Sequence, residues 1–144
     1  MRRTSSPDAA DPCDRISRFL ERGPWAVVGA SRSRAKYGNK VLRCFLQAGR
    51  RVFPVNPNLD EVEGVLCHSD LTRLPERVHG VSIVTPPEVT ARVVEDLPAA
   101  GARIVWMQPG AESDAAIARA EALGVEVIAR GPCVLVALGF RDDA

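Results

Sequence analysis

The stretch WAVVGASRSRAKYG, residues 25–38, decides the fold of this chain. Residues 25–29 form an apolar run typical of a buried strand, a polar turn follows, and a helical pattern of apolar residues begins at about Gly38. In doubly wound α/β proteins, a strand, a glycine-containing turn and a helix present backbone N–H groups and a helix N-terminus to a phosphate. The segment therefore predicts a phosphate-binding turn at the edge of a parallel sheet.

This turn departs from the dinucleotide-binding fingerprint. The fingerprint places glycines at the first, third and sixth positions of the turn, and here those positions hold Gly29, Ser31 and Arg34. The turn also carries three cations, which are Arg32, Arg34 and Lys36. Since cations neutralise phosphate oxygens, we expect a nucleotide that is more anionic than NAD. Coenzyme A is the candidate that this charge favours.

The rest of the chain continues the alternation of strands and helices. Apolar strands are predicted at about 25–29, 51–55, 81–84, 103–107 and 125–128. Amphipathic helices are predicted at about 14–21, 38–48, from Thr85 onward, and at about 113–123. This order predicts an α/β fold, a Rossmann-like three-layer sandwich with a mainly parallel five-stranded sheet.

Three local patterns carry finer predictions. Thr85 is the expected N-cap of the third main helix, with Pro86 at its first position and Glu88 completing a capping box. Pro54 is expected at the end of its strand, because proline cannot donate to a central ladder. Residues 62–66 fit either a short strand or a turn, and residues 70–74 fit one helical turn.

Length and composition bound the class of protein. The 144 residues predict a single domain over 13–140 that follows a flexible N-terminal tail over 1–12. A net charge of +1 gives no reason to expect binding to nucleic acid or to a membrane surface. No apolar run approaches the roughly 20 residues of a membrane span. The cysteines lack metal-ligand spacing, which favours a cytoplasmic protein with free thiols; they are Cys13, Cys44, Cys67 and Cys133.

Polar loops that follow the predicted strands form the expected ligand edge, since ligands of open parallel sheets bind beyond the carboxyl ends of the strands. Gly29 permits close approach of a phosphate, and the Ser31 hydroxyl can donate to it. An acid that would hold an NAD ribose is missing directly after Val55. Neither His68 nor His79 is paired with a nucleophile in the pattern, so we expect no catalytic residues.

Residues 25–133 resemble the small stand-alone CoA-binding proteins of bacteria and archaea, which are similar to the N-terminal domain of the succinyl-CoA synthetase α-subunit. The resemblance rests on VVGASR (27–32), KYG (36–38), VFPVNPN (52–58), Glu63-Gly64, WMQPG (106–110) and Cys133. It implies a Rossmann-type fold and a CoA ligand. Two departures are the sequence TPPE at 85–88, which is closer to the synthetase, and the absence of a proline after Cys133.

The same resemblance implies a set of binding residues. The diphosphate would lie on Gly29, Ala30 and Ser31, and Lys36 would serve a phosphate. The nucleotide edge would be formed by Asn56 and Pro57. The adenine side would be formed by Thr85, Pro86 and Pro87.

The sequence therefore predicts a protein that binds coenzyme A or an acyl-CoA without catalysis of its own. One alternative is a small NAD(P)-dependent oxidoreductase. Another is a regulatory nucleotide-sensing module that acts on a partner protein. Whether the protein forms a homo-oligomer or has an unknown protein partner stays open.

Overall fold

A computed structural model describes residues 12–142 of the chain. Apart from Pro12, where the first helix begins, the predicted N-terminal tail lies outside the described residues. The helices are α1 (Pro12–Leu20), α2 (Tyr37–Gln47), α3 (Pro87–Val93), α4 (Leu97–Ala100), α5 (Asp114–Ala122) and α6 (Val134–Ala137). The strands are β1 (Trp25–Val28), β2 (Val52–Val55), β3 (Glu61–Val62), β4 (Val65–Leu66), β5 (Gly80–Ile83), β6 (Ile104–Met107) and β7 (Glu126–Ile128).

Five strands form one parallel sheet in the order β2-β1-β5-β6-β7. One apolar cluster packs α1, α2 and α6 on one face of the sheet, around Phe19, Phe45 and Trp106. A second cluster packs α4 and α5 on the other face, around Leu97 and Val105. The predicted α/β Rossmann-like architecture is confirmed. The chain leaves β1 for β2 on one side and returns to β5 on the other, so the topological switch point lies directly beyond Val28.

Strand β2 tolerates a proline because it is an edge strand. The amides of Trp25 and Gly29 donate to the carbonyls of Arg51 and Val55, at 3.0 Å each, so alternate residues of β2 face β1. The nitrogen of Pro54 therefore points away from the ladder, and its carbonyl accepts from the His68 amide at 3.0 Å. Pro54 lies inside the strand rather than at its end as predicted, and it costs the sheet no hydrogen bond.

The ambiguous segment after β2 forms the β3–β4 hairpin. Its two-residue turn consists of Glu63 and Gly64, whose φ angles are 52° and 76°. Two successive left-handed residues define a type I′ turn, which matches the twist of a hairpin. The predicted single helical turn follows at Leu71–Arg73 as a 3₁₀ turn, and the Asp70 carboxylate caps it by accepting from the Thr72 amide at 2.9 Å.

The predicted Thr85 cap is wrong, because α3 begins at Pro87, one residue later than predicted. Pro86 is the N-cap, with an extended ψ of 153°. A residue that precedes a proline is sterically kept out of the helical region, so Pro86 cannot be the first helical residue. The Thr85 hydroxyl instead lies 2.8 Å from the hydroxyl of Thr90.

Within the described residues, no helix has the length and apolar character needed to cross a membrane.

Candidate functional site

The loops after β1, β2 and β5 meet at the carboxyl edge of the sheet, at the switch point. Asn56 Nδ2 donates to the Ala30 carbonyl at 2.8 Å and so ties the second loop to the first. A Cβ at Gly29 would lie 3.0 Å from Val84 Cγ2 and 3.2 Å from Thr85 Cγ2. The structure therefore brings together four of the residues predicted for ligand binding, which are Gly29, Ala30, Asn56 and Thr85.

Two glycines make the turn after β1 compact. Gly29 has a φ of 97°, a conformation that L side chains rarely adopt. Gly38 lies in the first turn of α2, and a Cβ there would be only 2.0 Å from the Gly29 carbonyl oxygen. The helix and the strand end thus approach to a distance that only glycine allows. The sequence had placed Gly38 in a shared motif but had given it no role.

Side chains hold the carbonyl oxygens of the turn. Asn56 donates to the carbonyl of Ala30. Asn39 Nδ2 donates to the carbonyl of Ser31 at 2.8 Å, and Arg43 donates to the carbonyl of Arg34 at 3.0 Å. No hydrogen bond between described residues uses the amides of Ala30, Ser31 or Arg32. Three acceptors of the turn are therefore occupied, while the amides of Ser31 and Arg32, whose residues are not buried, are available to an anion.

Asn39 and Arg43 support the turn, and the sequence reasoning missed both of them. Both belong to α2 and are buried, with Arg43 only 4% exposed. Arg43 Nε donates to Asn39 Oδ1 at 2.6 Å, and its NH2 group pairs with Asp142 at 2.8 Å. Polar residues are seldom buried without a partner. An amide and a guanidinium four residues apart beside the apolar face of α2 were the available signal.

The three cations of the turn differ in their surroundings. Arg32 Nε donates to the Glu61 carbonyl at 2.9 Å, and Arg34 Nε lies 3.4 Å from a carboxylate oxygen of Glu63. Both arginines are therefore held against the β3–β4 hairpin. Lys36 is exposed and directly precedes α2. In the part of the chain that the structure describes, its ammonium group takes part in no ion pair.

The position after β2 lacks the acid that a dinucleotide-binding domain uses for the ribose diol. Asn56 occupies it, and both ends of its side chain are engaged, since Nδ2 donates to Ala30 and Oδ1 accepts from the Asn58 amide at 2.8 Å. Pro57 and Pro86 are exposed at the same edge, and Pro87 is half-buried. The predicted nucleotide and adenine residues thus follow β2 and β5, the two strands that flank β1.

A polar group lies farther along the same edge, where β6 and β7 end. Gln108 is fully buried, its Nε2 donates to Ser82 Oγ at 3.0 Å, and its Oε1 accepts from the Val134 amide at 2.9 Å. The Tyr37 hydroxyl donates to the same Oε1 at 3.3 Å. Gln108 therefore links β5, β6, α2 and α6. The sequence had named it only as part of a loop motif.

Cys133 lies beside this group as the N-cap of α6 and is half-buried. Burial tends to raise the pKa of its thiol. The Tyr37 hydroxyl, which can share its proton between Gln108 Oε1 and the Cys133 sulfur, and the backbone amides at the start of α6 outweigh burial, so this pKa lies below its ordinary value. Burial raises the pKa of Tyr37, which keeps its hydroxyl protonated as the donor. By contrast, burial raises the pKa of Cys44 to about 11.

The two histidines lie away from this edge or are engaged elsewhere. His79 directly precedes β5 at the amino end of the sheet, with Nε2 2.9 Å from the Arg18 carbonyl oxygen. The backbone of His68 pairs with Val55 at the outer side of β2, and its imidazole packs edge-on against the Phe53 ring, with centroids 5.9 Å apart. Over residues 12–142 no group of His, Cys, Asp and Glu side chains could hold a metal ion.

Known proteins resemble all or part of this chain. It is 32% identical over 71 residues to the ADP-forming acetate–CoA ligase I of Archaeoglobus fulgidus, a match that covers 49% of this chain but only 10% of the ligase. A conserved hypothetical protein from Pyrococcus furiosus is 42% identical, with a TM-score of 0.73, and the match covers 78% of this chain and 97% of that one.

A hypothetical protein from Pyrococcus horikoshii superposes with a TM-score of 0.82 at 28% identity, and the match covers 94% of this chain and 95% of that one. The model of one protein family, described as CoA binding domain, matches residues 24–139 of this chain. That range includes every strand and the whole carboxyl edge of the sheet. The chain therefore belongs to the CoA-binding domain family.

Proposed function

We propose that this protein binds coenzyme A or an acyl-CoA, with the diphosphate on Gly29, Ala30 and Ser31. The observation that carries the proposal is the polarity of the turn. Three of its carbonyl oxygens are held by Asn56, Asn39 and Arg43, while the amides of Ser31 and Arg32, whose residues are not buried, have no partner among the described residues. Ser31 Oγ accepts from the Ser33 amide at 3.1 Å, so its hydroxyl proton can also be donated to a phosphate.

The remaining predicted residues take positions around this turn. Lys36, exposed at the start of α2, is placed to neutralise a phosphate. Asn56 and Pro57 form the nucleotide edge, and Thr85, Pro86 and Pro87 form the adenine side. The pantetheine arm runs toward Cys133, since the loop that carries this residue follows β7 at the same carboxyl edge of the sheet.

Coenzyme A fits the site better than NAD does. The ribose-binding acid of dinucleotide-binding domains is replaced by Asn56, which is engaged in holding the turn. The three cations of the turn suit the additional 3′-phosphate of coenzyme A. The small NAD(P)-dependent oxidoreductase is therefore the weaker alternative.

We propose binding without turnover by this chain alone. Neither histidine is paired with a nucleophile at the edge, and the match to the acetate–CoA ligase covers only 10% of that enzyme. A regulatory role toward a partner protein, or a homo-oligomer, is compatible with this function. The unpaired thiols of Cys44, Cys67 and Cys133 favour a reducing compartment such as the cytoplasm.

Thermal unfolding with and without ligand tests the proposal. Ligand at 100 times its Kd contributes about 2.7 kcal/mol to the native state, and each kcal/mol raises Tm by roughly 2 to 6 °C for a domain of this size. Coenzyme A should therefore raise Tm by at least about 5 °C. NAD at the same concentration should not raise Tm by this amount. Dephospho-CoA should give a smaller shift than coenzyme A, and added salt should narrow the difference between these two ligands. A larger shift with NAD or NADPH than with coenzyme A would overturn the proposal.

A further inference from the structure

We infer that Glu63 sets the ligand affinity of the phosphate turn by competing with the ligand for Arg34, an inference that rests on the proposed binding of coenzyme A. Glu63 lies at the tip of the β3–β4 hairpin, 24 residues along the chain from Asn39, and its carboxylate reaches across to the turn. One carboxylate oxygen, Oε2, accepts from Asn39 Nδ2 at 2.9 Å and lies 3.4 Å from Arg34 Nε.

The Glu63 carboxylate thus contacts one cation of the turn, Arg34, and the Asn39 amide that holds a carbonyl oxygen of the turn. The Asn39 amide nitrogen that donates to Glu63 also donates to the Ser31 carbonyl at 2.8 Å. The Glu63 side chain is only 23% exposed, compared with 55% for Arg34. A negative charge that belongs to the protein is therefore placed beside the proposed diphosphate site and next to one of the cations of the turn.

The backbone at Glu63 supports a specific role for its side chain. Its φ of 52° lies in the left-handed region, at the first position of a type I′ turn. Asn, Asp and Gly are the residues preferred there, and other residues are uncommon. A glutamate in this conformation is held by the contacts of its carboxylate, and an observed backbone outlier of this kind points to function.

The charge at Glu63 opposes an anionic ligand in two ways. It repels the phosphates directly, and it neutralises Arg34 so that the guanidinium attracts them less. Glu63→Gln removes the charge while keeping an oxygen that can accept from Asn39. This variant should bind coenzyme A about threefold to tenfold more tightly than the wild type at low salt, and the gain should shrink as ionic strength rises.

Glu61→Gln is the matched control. Glu61 is exposed on the same hairpin, and only its backbone carbonyl contacts the turn, through Arg32. Removing its charge should change the affinity by less than about twofold at physiological salt. Arg34→Ala tests the route, because Glu63→Gln should raise the affinity less in a chain that already lacks the Arg34 cation, where only the direct repulsion of the phosphates is removed.

Isothermal titration calorimetry of the wild type, the three single variants and the Arg34→Ala/Glu63→Gln double variant tests the inference. Circular dichroism confirms that each variant is folded. Tighter binding by Glu63→Gln that depends on Arg34 supports it. Equal or weaker binding by Glu63→Gln, or the same gain from Glu61→Gln, would overturn it while the binding of coenzyme A stands. Failure of every chain, including the wild type, to bind coenzyme A would remove the proposed function itself and the inference with it.

Discussion

Gly38→Ala tests how strictly the phosphate turn depends on the contact between α2 and the end of β1. The added Cβ would lie 2.0 Å from the Gly29 carbonyl oxygen, 3.0 Å from the Gly29 carbonyl carbon and 3.5 Å from Ala30 Cα. The first distance is 1.4 Å below the 3.4 Å at which ordinary van der Waals contact begins. Because the obstructing atoms are backbone, no side-chain rotation relieves the clash.

The surroundings limit how far the turn can retreat. The Gly29 amide donates to the Val55 carbonyl at 3.0 Å, and the Ala30 carbonyl is held by Asn56 at 2.8 Å. Overpacking of this kind costs about 1 to 3 kcal/mol, against a gain of up to about 1 kcal/mol from the better helix propensity of alanine. A net loss of about 1 to 2 kcal/mol should lower Tm by roughly 2 to 12 °C.

Ligand binding should suffer more than stability. A shift of the turn by 1 Å or more would break hydrogen bonds from its amides to a phosphate, and one bond to a charged group is worth about 1.5 to 3 kcal/mol. Coenzyme A should therefore bind at least about tenfold more weakly to Gly38→Ala.

Calorimetric titration and thermal unfolding measure the two effects separately. Gly131→Ala is the matched control, because a Cβ there would meet only the Ala129 carbonyl oxygen, at 3.9 Å. We expect it to change Tm by less than about 2 °C. A Gly38→Ala protein with the Tm and the affinity of the wild type would refute the reasoning, since the turn would then accept the displacement without consequence.

Two further predictions concern the charged and nucleophilic residues of the edge. Lys36→Ala should weaken coenzyme A binding about threefold to tenfold at low salt, and Arg32→Ala less, because Arg32 is already bound to the hairpin; titration at two ionic strengths checks this, and equal losses would contradict it. The Cys133 thiolate should attack one sulfur of CoA disulfide, retaining one CoA and releasing the other as a thiolate. Because its pKa is lowered, adduct formation measured by intact mass should persist below the ordinary pH range of a thiol. Tyr37→Phe should move the pH midpoint of adduct formation upward. An adduct on Cys13 alone would exclude the role of Cys133.

Much of the fold could be predicted from the sequence, because parallel strands covered on both faces read as continuous apolar runs. Each of the five predicted strands appears at its expected place along the chain, and the five form one sheet. The start of α3 could not be placed by a capping pattern alone, since the steric effect of Pro87 on Pro86 overrides the capping preference of Thr85. The β3–β4 hairpin was ambiguous because its strands have only two residues each.

The candidate site was predictable where chemistry and local order coincide, and not where tertiary contacts decide. The turn from Gly29 to Lys36 was predictable because glycine, serine and three cations follow directly after an apolar strand. The supporting contacts of Arg43 and Gln108 join residues that are distant in the chain, such as Gln108 and Ser82, 26 positions apart. No periodicity within one helix or strand can reveal which carbonyl a buried amide will meet.

The two glycines of the site explain why this turn can depart from the dinucleotide fingerprint and still keep its architecture. In that fingerprint the sixth-position glycine allows the helix to pack closely on the strand. Here the sixth position is Arg34, the helix begins only at Tyr37, and the close approach falls on Gly38. The loop is consequently longer, and the inserted residues carry the cations. A longer loop is more costly to order, and the buried Asn39 and Arg43 offset that cost by fixing its carbonyl oxygens. The delayed helix start, the cations of the loop and the buried polar pair are the features on which the proposed preference for a ligand with more phosphate charge than NAD rests.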